Sequence, residues 1–312
     1  MGFFASLINS MPSAVAQGLI WGIMAIGVYL TYRILDVADL TVDGSLGTGG
    51  AVCVVMVLNG APVGLALLAA TAAGMLAGLV TGLFHTACGI PAILAGILTQ
   101  LALYSVNLRI MGFGTGGGKA NLPISVDKYS LLVSARYVRN VALNNPILIL
   151  AVFCAVLIAV LYWFFGTELG CSLRATGANQ NMARAQGINT NVTTVLGLMI
   201  SNGLVALAGG LLAQYQGFSD INMGRGAIVI GLAAVIIGEV IFSRIFRNFA
   251  LKLLSAVIGA IIYYIVMVFV LRLGLSTDDL KLLTALVVAL FLTIPYWKGK
   301  YFTKTSVKKG EK

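Results

Sequence analysis

The residues that could carry out chemistry are few in this sequence. It contains one histidine, His85, with no HExxH motif and no second metal ligand nearby, so the spacing of a zinc site is absent. A serine–histidine protease would pair His85 with a serine such as Ser45, but the surrounding DGSLG is not a nucleophile motif of the GxSG type. A phosphate-binding loop is also absent from the sequence. We therefore predict a chain that is not an enzyme and binds no metal or nucleotide of its own.

Polar side chains inside apolar runs are the stronger candidates for function. Gln100, Tyr104 and Asn107 are spaced to share one face of a helix, and Asn202, Gln214 and Glu239 interrupt later apolar runs. Such groups are costly in hydrocarbon unless they are paired or wet. Two interpretations remain open: hydrogen bonds between helices, with an ion pair such as Glu239–Arg244, or the lining of a path for a polar solute.

Composition indicates that these residues belong to a polytopic membrane protein. Hydrophobic residues make up 59% of the chain and charged residues 10%, and residues 44–108 contain no Asp, Glu, Lys or Arg. Small residues recur every four positions, as in Ala70, Gly74, Gly78 and Gly82, which is typical of close helix contacts. The fold class is therefore predicted to be all-α, a membrane helix bundle. The four cysteines form no CxxC pair and are expected to be reduced.

About 20 apolar residues are needed to cross a bilayer. Two of the apolar runs, the second and the seventh, are short or broken by glycine and are predicted to be re-entrant or discontinuous helices. We expect 8–10 transmembrane segments in one domain, residues 1–297, followed by a basic tail, residues 298–312. The runs are 12–32, 46–60, 62–83, 91–110, 146–165, 192–215, 226–243, 250–271 and 281–297.

Lys and Arg predict the orientation in a plasma or inner membrane. The tail KGKYFTKTSVKKGEK carries six lysines and one glutamate, which places the C-terminus in the cytoplasm. Counting runs backward puts residues 166–191 inside and the loop at about 111–145 outside, although that loop also carries basic residues. The basic tail is explained by anionic membrane lipids, and nucleic acid is not expected as a partner because no aromatic residues interleave with the charges.

The polar segment RATGANQNMARAQGIN, residues 174–189, interrupts the apolar pattern. Asn179 suits an N-cap and Gly187 suits the position after a helix, which predicts a helix over residues 180–186. This helix is too short to span a membrane. It would present Met182, Ala183 and Ala185 on the cytoplasmic side, either as a docking element for a partner or as an ordinary loop.

Two segments resemble a known family. LRATGANQNMARAQGINTNVTTVLGLMISNGLVALAGGLLAQYQG resembles the coupling region and following helix of the permease subunits of ABC importers for branched-chain amino acids and ribose-type sugars. DLTVDGSLGTGG, residues 39–50, resembles the segment that opens the family's broken second helix. IVIGLAAVIIGEVIF resembles a less characterised branch paired with binding proteins for aromatic amino acids or other small solutes. The sequence departs from the wider pattern at Arg184, where Ala is frequent, and at Glu239.

The resemblance implies a type II-like ABC importer permease fold. It implies two cytoplasmic ATPases that bind ATP and Mg, an extracytoplasmic solute-binding protein and a second permease subunit. That subunit is either an identical copy, which we prefer, or a different permease. No cofactor is expected in this chain. The residues expected to contact the ATPase are Arg174, Ala175, Gly177, Asn179, Met182, Ala183, Arg184 and Gly187.

The same resemblance places the segment 39–50 close to the solute path. The predicted path residues are Asp39, Asp43, Gly44, Ser45, Gln100, Tyr104, Asn107, Asn202, Gln214 and Glu239. Arg136 and Arg139 are expected either to meet acidic residues of the binding protein or to cap an interfacial helix.

The predicted function is that of a permease subunit of an ATP-driven importer for a small solute. An amino acid is favoured, with an aromatic one preferred and a sugar or nucleoside as the alternative. A self-sufficient carrier or channel is the other class, although coupled carriers usually place ionisable residues within their spans, and these are few here.

Overall fold

A computed structural model shows an α-helical bundle with one small sheet. The structure describes residues 3–114, 117–126, 128–138, 145–242, 245–246, 248–272, 282, 285–286, 288–290 and 293. The helices are α1 (Phe3–Tyr29), α2 (Val42–Leu58), α3 (Val63–Thr86), α4 (Ala92–Met111), α5 (Pro146–Phe164), α6 (Glu168–Ala178), α7 (Gln180–Ala185), α8 (Thr190–Gln216), α9 (Ala227–Phe242) and α10 (Phe249–Arg272).

Within the described residues, six helices are long and apolar enough to cross a membrane, and α2 and α9 are apolar but shorter. The all-α polytopic fold is confirmed, and the first eight predicted apolar runs each correspond to a helix. The ninth run, residues 281–297, and the basic tail, residues 298–312, lie mostly or wholly outside the described residues.

Local sequence signals set several helix ends. Asn145 accepts the amide hydrogen of Ile147 at the start of α5, and Asn189 accepts those of Asn191 and Val192 at the start of α8. Gly217 adopts φ 80° after α8, the left-handed conformation that commonly ends a helix.

Small residues bring the long helices into close contact, as predicted. In the interface of α3 with α8, a Cβ on Gly74 would overlap the backbone of Asn202, and one on Gly78 would overlap the backbone of Leu198. In the interface of α1 with α10, a Cβ on Gly18 would lie 2.7 Å from the Cα of Ile261. Helices α1 and α8 are the most enclosed spans of the bundle, with 89% and 78% of their apolar windows buried.

The second and seventh runs form the two apolar helices that are shorter than the six candidate spans, α2 and α9, and their being re-entrant or discontinuous stays a prediction. Helix α1 ends in a π-helix, Leu30–Ile34, and the chain is not helical again until α2 begins at Val42. Ser45 of α2 contacts Asn202, near the middle of the 27-residue α8. Helix α2 therefore starts part-way along the bundle, and α9 starts beside it.

A two-stranded antiparallel sheet closes one end of the bundle. Strand β1 (Asn121–Pro123) pairs with β2 (Phe218–Asp220), with Leu122 opposite Ser219. The sequence did not indicate these strands, because three residues are too few to show an alternating pattern. We call this end, with residues 117–126 and 128–138, the sheet end. The opposite end, with α6 and α7, is called the α7 end.

Candidate solute path and coupling helix

Asp43 joins the beginnings of the two short helices, α2 and α9. It lies in the first turn of α2, and its carboxylate accepts the amide hydrogens of Gly226 and Ile228, each at 2.9 Å. A carboxylate is favourable at a helix N-terminus because the free N–H groups there carry partial positive charge. The chain is also tightly packed at this point, since a Cβ on Gly224 would overlap the carbonyl oxygen of Asp43. Asp43 thus caps α9 from α2.

A cavity of about 290 Å³ opens beside this junction. Five predicted path residues line it, whereas the sequence did not single out Leu101, Ile221 and Arg225. Arg225 stands directly before the seventh apolar run. An isolated charge at the end of an apolar run is the sequence feature that could have indicated it as a candidate site residue. The complete lining is Asp43, Gly44, Gln100, Leu101, Tyr104, Asn107, Ile221 and Arg225.

The cavity offers both charges and uncharged polar groups. The Asn107 side chain is buried and donates to the Gly44 carbonyl at 3.5 Å, while its Oδ1 atom has no hydrogen-bond partner among the described residues. Arg225 is exposed, and its guanidinium pairs with no described carboxylate. Tyr104 is 43% exposed. The arrangement can hydrogen-bond a small polar molecule.

Three other predicted path residues form a buried cluster instead of lining this cavity. Ser45 donates to Asn202 Oδ1 at 2.6 Å, and Asn202 Nδ2 donates to Asp39 Oδ2 at 2.6 Å. Asp39 also accepts the amide hydrogen of Thr41 at 2.9 Å. Each of these side chains is at most 2% exposed. The cluster fixes the start of α2 to the middle of α8, which favours the interhelical interpretation for Asn202.

A chain of hydroxyl groups supports the same junction, and the sequence did not reveal it. Thr41 Oγ1 lies 2.7 Å from Thr81 Oγ1, and Thr81 Oγ1 donates to Thr99 Oγ1 at 2.9 Å. The three threonines come from the segment before α2, from α3 and from α4. Threonine is common inside membrane helices, so its type alone carries no signal of such a contact.

Gln214 also lies away from the cavity. It is fully buried, donates to Cys53 Sγ at 3.2 Å and accepts the amide hydrogen of Leu132 at 3.2 Å. It therefore ties the loop at the sheet end to α8 and α2. The four cysteines are free thiols, and no group of three His, Cys, Asp or Glu in the described part of the chain could hold a metal ion.

The predicted short helix is present at the opposite end of the bundle as α7. Asn179 is its N-cap, accepting the amide hydrogen of Met182 at 3.0 Å, and Gly187 has φ 81°. The preceding residues differ from a simple loop, because Arg174, Ala175 and Gly177 belong to the 11-residue helix α6. The segment 174–189 therefore contains the end of α6, the whole of α7 and the turn before α8.

The exposed face of α7 differs from the predicted one. Met182 is 62% exposed and Ala185 is exposed, but Ala183 is only 2% exposed, so the prediction that Ala183 is presented at the surface is wrong. A six-residue helix lying against the bundle must bury one face, and the side chain of Ala183 is on it. Arg184 Nε donates to Thr190 Oγ1 at 2.8 Å and so ties α7 to α8.

Comparisons with known proteins decide the family. The family described as branched-chain amino acid transport system permease component matches residues 10–294. The chain belongs to this permease family. A tyrosine transport system permease protein of Clostridioides difficile is 41% identical, over 91% of this chain and 90% of its own length. An uncharacterised protein of Rickettsia prowazekii is 37% identical, over 91% of this chain and 97% of its own.

More distant similarities agree with the family and the fold. The autoinducer 2 import system permease protein of Salmonella paratyphi B is 28% identical over 75% of this chain and 64% of its own length. The solved structure of PsaBC from Streptococcus pneumoniae, in complex with Fab, matches with a TM-score of 0.52 and 17% identity, covering 95% of this chain and 99% of that one. The protein is therefore a multi-pass membrane permease of the ABC transporter class.

In this permease, Glu239 pairs across the bundle at the α7 end. Its Oε1 atom accepts a hydrogen bond from Arg33 Nε at 2.8 Å. The side chain of Glu239 is 28% exposed and that of Arg33 is 58% exposed. The predicted partner Arg244 lies outside the described residues. Glu239 thus connects α9 to the π-helix, away from the cavity at the start of α2.

The permease also has two cavities around Arg174, of about 400 and 240 Å³. The Arg174 guanidinium lies 5.5 Å from the centre of the Phe249 ring, a cation–π arrangement. At the sheet end, Arg136 is exposed in a short 3₁₀ turn, Ala135–Tyr137, whereas Arg139 lies outside the described residues. Their contact with a binding protein stays a prediction.

Proposed function

We propose that this permease is the non-catalytic membrane subunit of an ATP-driven importer for an amino acid, with an aromatic one preferred. The observation that carries the proposal is its similarity, at 41% identity over 91% of the chain, to a tyrosine transport system permease protein. The opposite charges of Asp43 and Arg225 at one cavity support a zwitterionic solute.

The partners follow from the type of transporter. Two copies of the permease form the path, and two ATPases, which hold ATP and Mg, bind the exposed face of α7. A solute-binding protein meets the sheet end, near Arg136 and Arg139. In this orientation the α7 end and the basic tail face the cytoplasm, in keeping with their Lys and Arg content.

A contact route supports the transmission of force from α7 toward the cavity. A Cβ on Gly177 of α6 would overlap the carbonyl oxygen of Ile34 in the π-helix. The segment after the π-helix leads to Asp39 and then to α2, whose first turn lines the cavity. Movement of α6 and α7 is therefore proposed to shift the start of α2 through packed backbone, because close-packed interiors transmit displacement.

The test is co-purification of the permease with its candidate ATPase, comparing the wild type, Met182→Glu and Met182→Leu. Met182 is chosen because it is exposed, whereas a charge at Ala183 would disturb the fold itself. We expect the wild type and Met182→Leu to retain the ATPase and Met182→Glu to lose it without losing membrane insertion. If the wild type binds no ATPase and moves solute alone in liposomes, the protein is a self-sufficient carrier.

A further inference from the structure

We propose that the cavity between α2, α4 and the start of α9 is a binding site for a free α-amino acid. In this site Arg225 holds the solute carboxylate and Asn107 Oδ1 accepts a hydrogen bond from its ammonium group. The inference rests on the proposed function and deepens it, since it places within the permease a solute-recognition site separate from any binding protein.

Asn107 supplies the first argument. Its side chain is 2% exposed, and its Nδ2 atom is directed to the Gly44 carbonyl, which leaves Oδ1 without a partner among the described residues. Buried acceptors are nearly always satisfied. Because Asn107 lines the cavity, a hydrogen-bond donor inside the cavity would satisfy it, and an ammonium group carries three such donors.

Arg225 supplies the second argument. It lines the same cavity, and its guanidinium pairs with no carboxylate in the described part of the chain. The carboxylate of Asp43 is already engaged by the N–H groups of Gly226 and Ile228. The Arg225 fork is thus available to a ligand carboxylate, which it can bind through two parallel hydrogen bonds.

The remaining wall fits the rest of an amino acid. Leu101, Ile221 and Tyr104 provide apolar and aromatic surface for a side chain. The volume of about 290 Å³ lies near the lower limit of small-molecule sites, which run from roughly 300 Å³ upward. An amino acid therefore matches the cavity in size as well as in polarity.

The charge arrangement selects against other solute classes. Asp43 and Arg225 place one negative and one positive group at the cavity, which complements a zwitterion. An amine would leave Arg225 unpaired, and a carboxylic acid would leave Asn107 Oδ1 without a strong donor. Unpaired polar groups in a binding site lower affinity for the wrong ligand. A sugar would use neither charge.

The test is equilibrium binding of L-tyrosine to the purified full-length permease in nanodiscs, without ATPase or binding protein. Tyramine serves as the ligand that lacks the carboxylate, and 3-(4-hydroxyphenyl)propionate as the ligand that lacks the ammonium group. The other L-amino acids are measured as competitors of tyrosine. If tyrosine itself binds weakly, the binding of each of them is measured directly. We expect each truncated ligand to bind at least about tenfold more weakly than the amino acid, because a charge-assisted hydrogen bond is lost.

Variants locate the site. Arg225→Gln and Asn107→Leu are each expected to weaken binding by about tenfold or more, and Arg225→Lys by less than Arg225→Gln. Arg109→Gln is the matched control, because Arg109 is an exposed arginine of α4 that does not line the cavity. Arg225 is exposed, so its variants test the site even if Asn107→Leu does not fold.

Three results would overturn the inference: no L-amino acid binds, tyramine binds as tightly as tyrosine, or Arg225→Gln binds like Arg109→Gln. Uptake by the complete importer, with its ATPase and binding protein, separates this failure from failure of the proposed function. If the importer takes up an amino acid and Arg225→Gln does not change this uptake, the proposed function is supported and the proposed site is wrong. If the complete importer takes up no amino acid, the proposed function itself is wrong.

Discussion

Asp43 of α2 accepts the backbone amide hydrogen of Ile228 in α9, across 185 positions of sequence, at 2.9 Å. The same carboxylate accepts the amide hydrogen of Gly226. One side chain thus fixes the relative position of the two short helices, and the first turn of α2 and the turn before α9 both line the cavity. A displacement of α2 must move the start of α9 with it or break these bonds.

This relationship predicts that Asp43→Ala destabilises the permease by about 1–3 kcal/mol, because two partly buried amide hydrogens lose their acceptor. Asp43→Asn keeps one acceptor oxygen and is expected to cost less. Thermal unfolding in detergent, followed by the fluorescence of a thiol dye on the buried cysteines, measures both. Equal melting temperatures for Asp43→Ala and the wild type would show that the cap contributes nothing.

The buried cluster of Asp39, Ser45 and Asn202 predicts a second stability effect. Asn202→Leu removes the donor to Asp39 and the acceptor for Ser45 and is expected to cost about 1–3 kcal/mol or more, since a buried carboxylate loses a partner.

The matched control for this cluster is Ser201→Ala on the same helix. Ser201 is equally buried and makes one hydrogen bond, to the Gly27 carbonyl at 2.7 Å. Unfolding midpoints of the two variants are compared in the same detergent. A smaller loss for Asn202→Leu than for Ser201→Ala would contradict the structural role of the cluster.

We predict that breaking the Arg33–Glu239 pair lowers ATP-driven uptake clearly while changing the free energy of unfolding only slightly. Both side chains are partly exposed, so their coupling in a double-mutant cycle of stability is expected below about 1 kcal/mol. Because the pair joins the π-helix to α9, Arg33→Glu is expected to lower ATP-driven uptake, and the charge-swapped double variant with Glu239→Arg is expected to restore part of it.

Uptake by the single and double variants in proteoliposomes with the complete importer tests this pair. If the double variant is as impaired as the worse single variant, the pair has no role of its own in transport, and the loss is due to each side chain separately.

Gly177 predicts how α6 transmits movement. Gly177→Ala forces a Cβ against the Ile34 carbonyl and is expected to cost about 1–3 kcal/mol through overpacking, while ATP-driven uptake falls and ATPase binding at α7 persists. Gly64→Ala is the control, because a Cβ at Gly64 meets nothing within 4 Å. Uptake by Gly177→Ala equal to that of Gly64→Ala would exclude this contact from coupling.

The amino-acid sequence alone predicted the elements whose cause is local. Apolar runs marked the membrane helices, the length of two of them marked α2 and α9 as the short ones, and Asn179 with Gly187 marked the two ends of α7. These signals lie within a few residues of the structure they specify, because helix length, capping and backbone conformation depend on neighbours along the chain.

Long-range packing controls which polar groups meet. It separated Asn107, at the cavity, from Asn202 and Gln214, in buried hydrogen bonds, although all three occur in apolar helices. It also brought Arg225 to the cavity and buried Ala183. These contacts depend on how helices that are distant in sequence align when they pack together. The apolar pattern of a single helix does not predict that alignment.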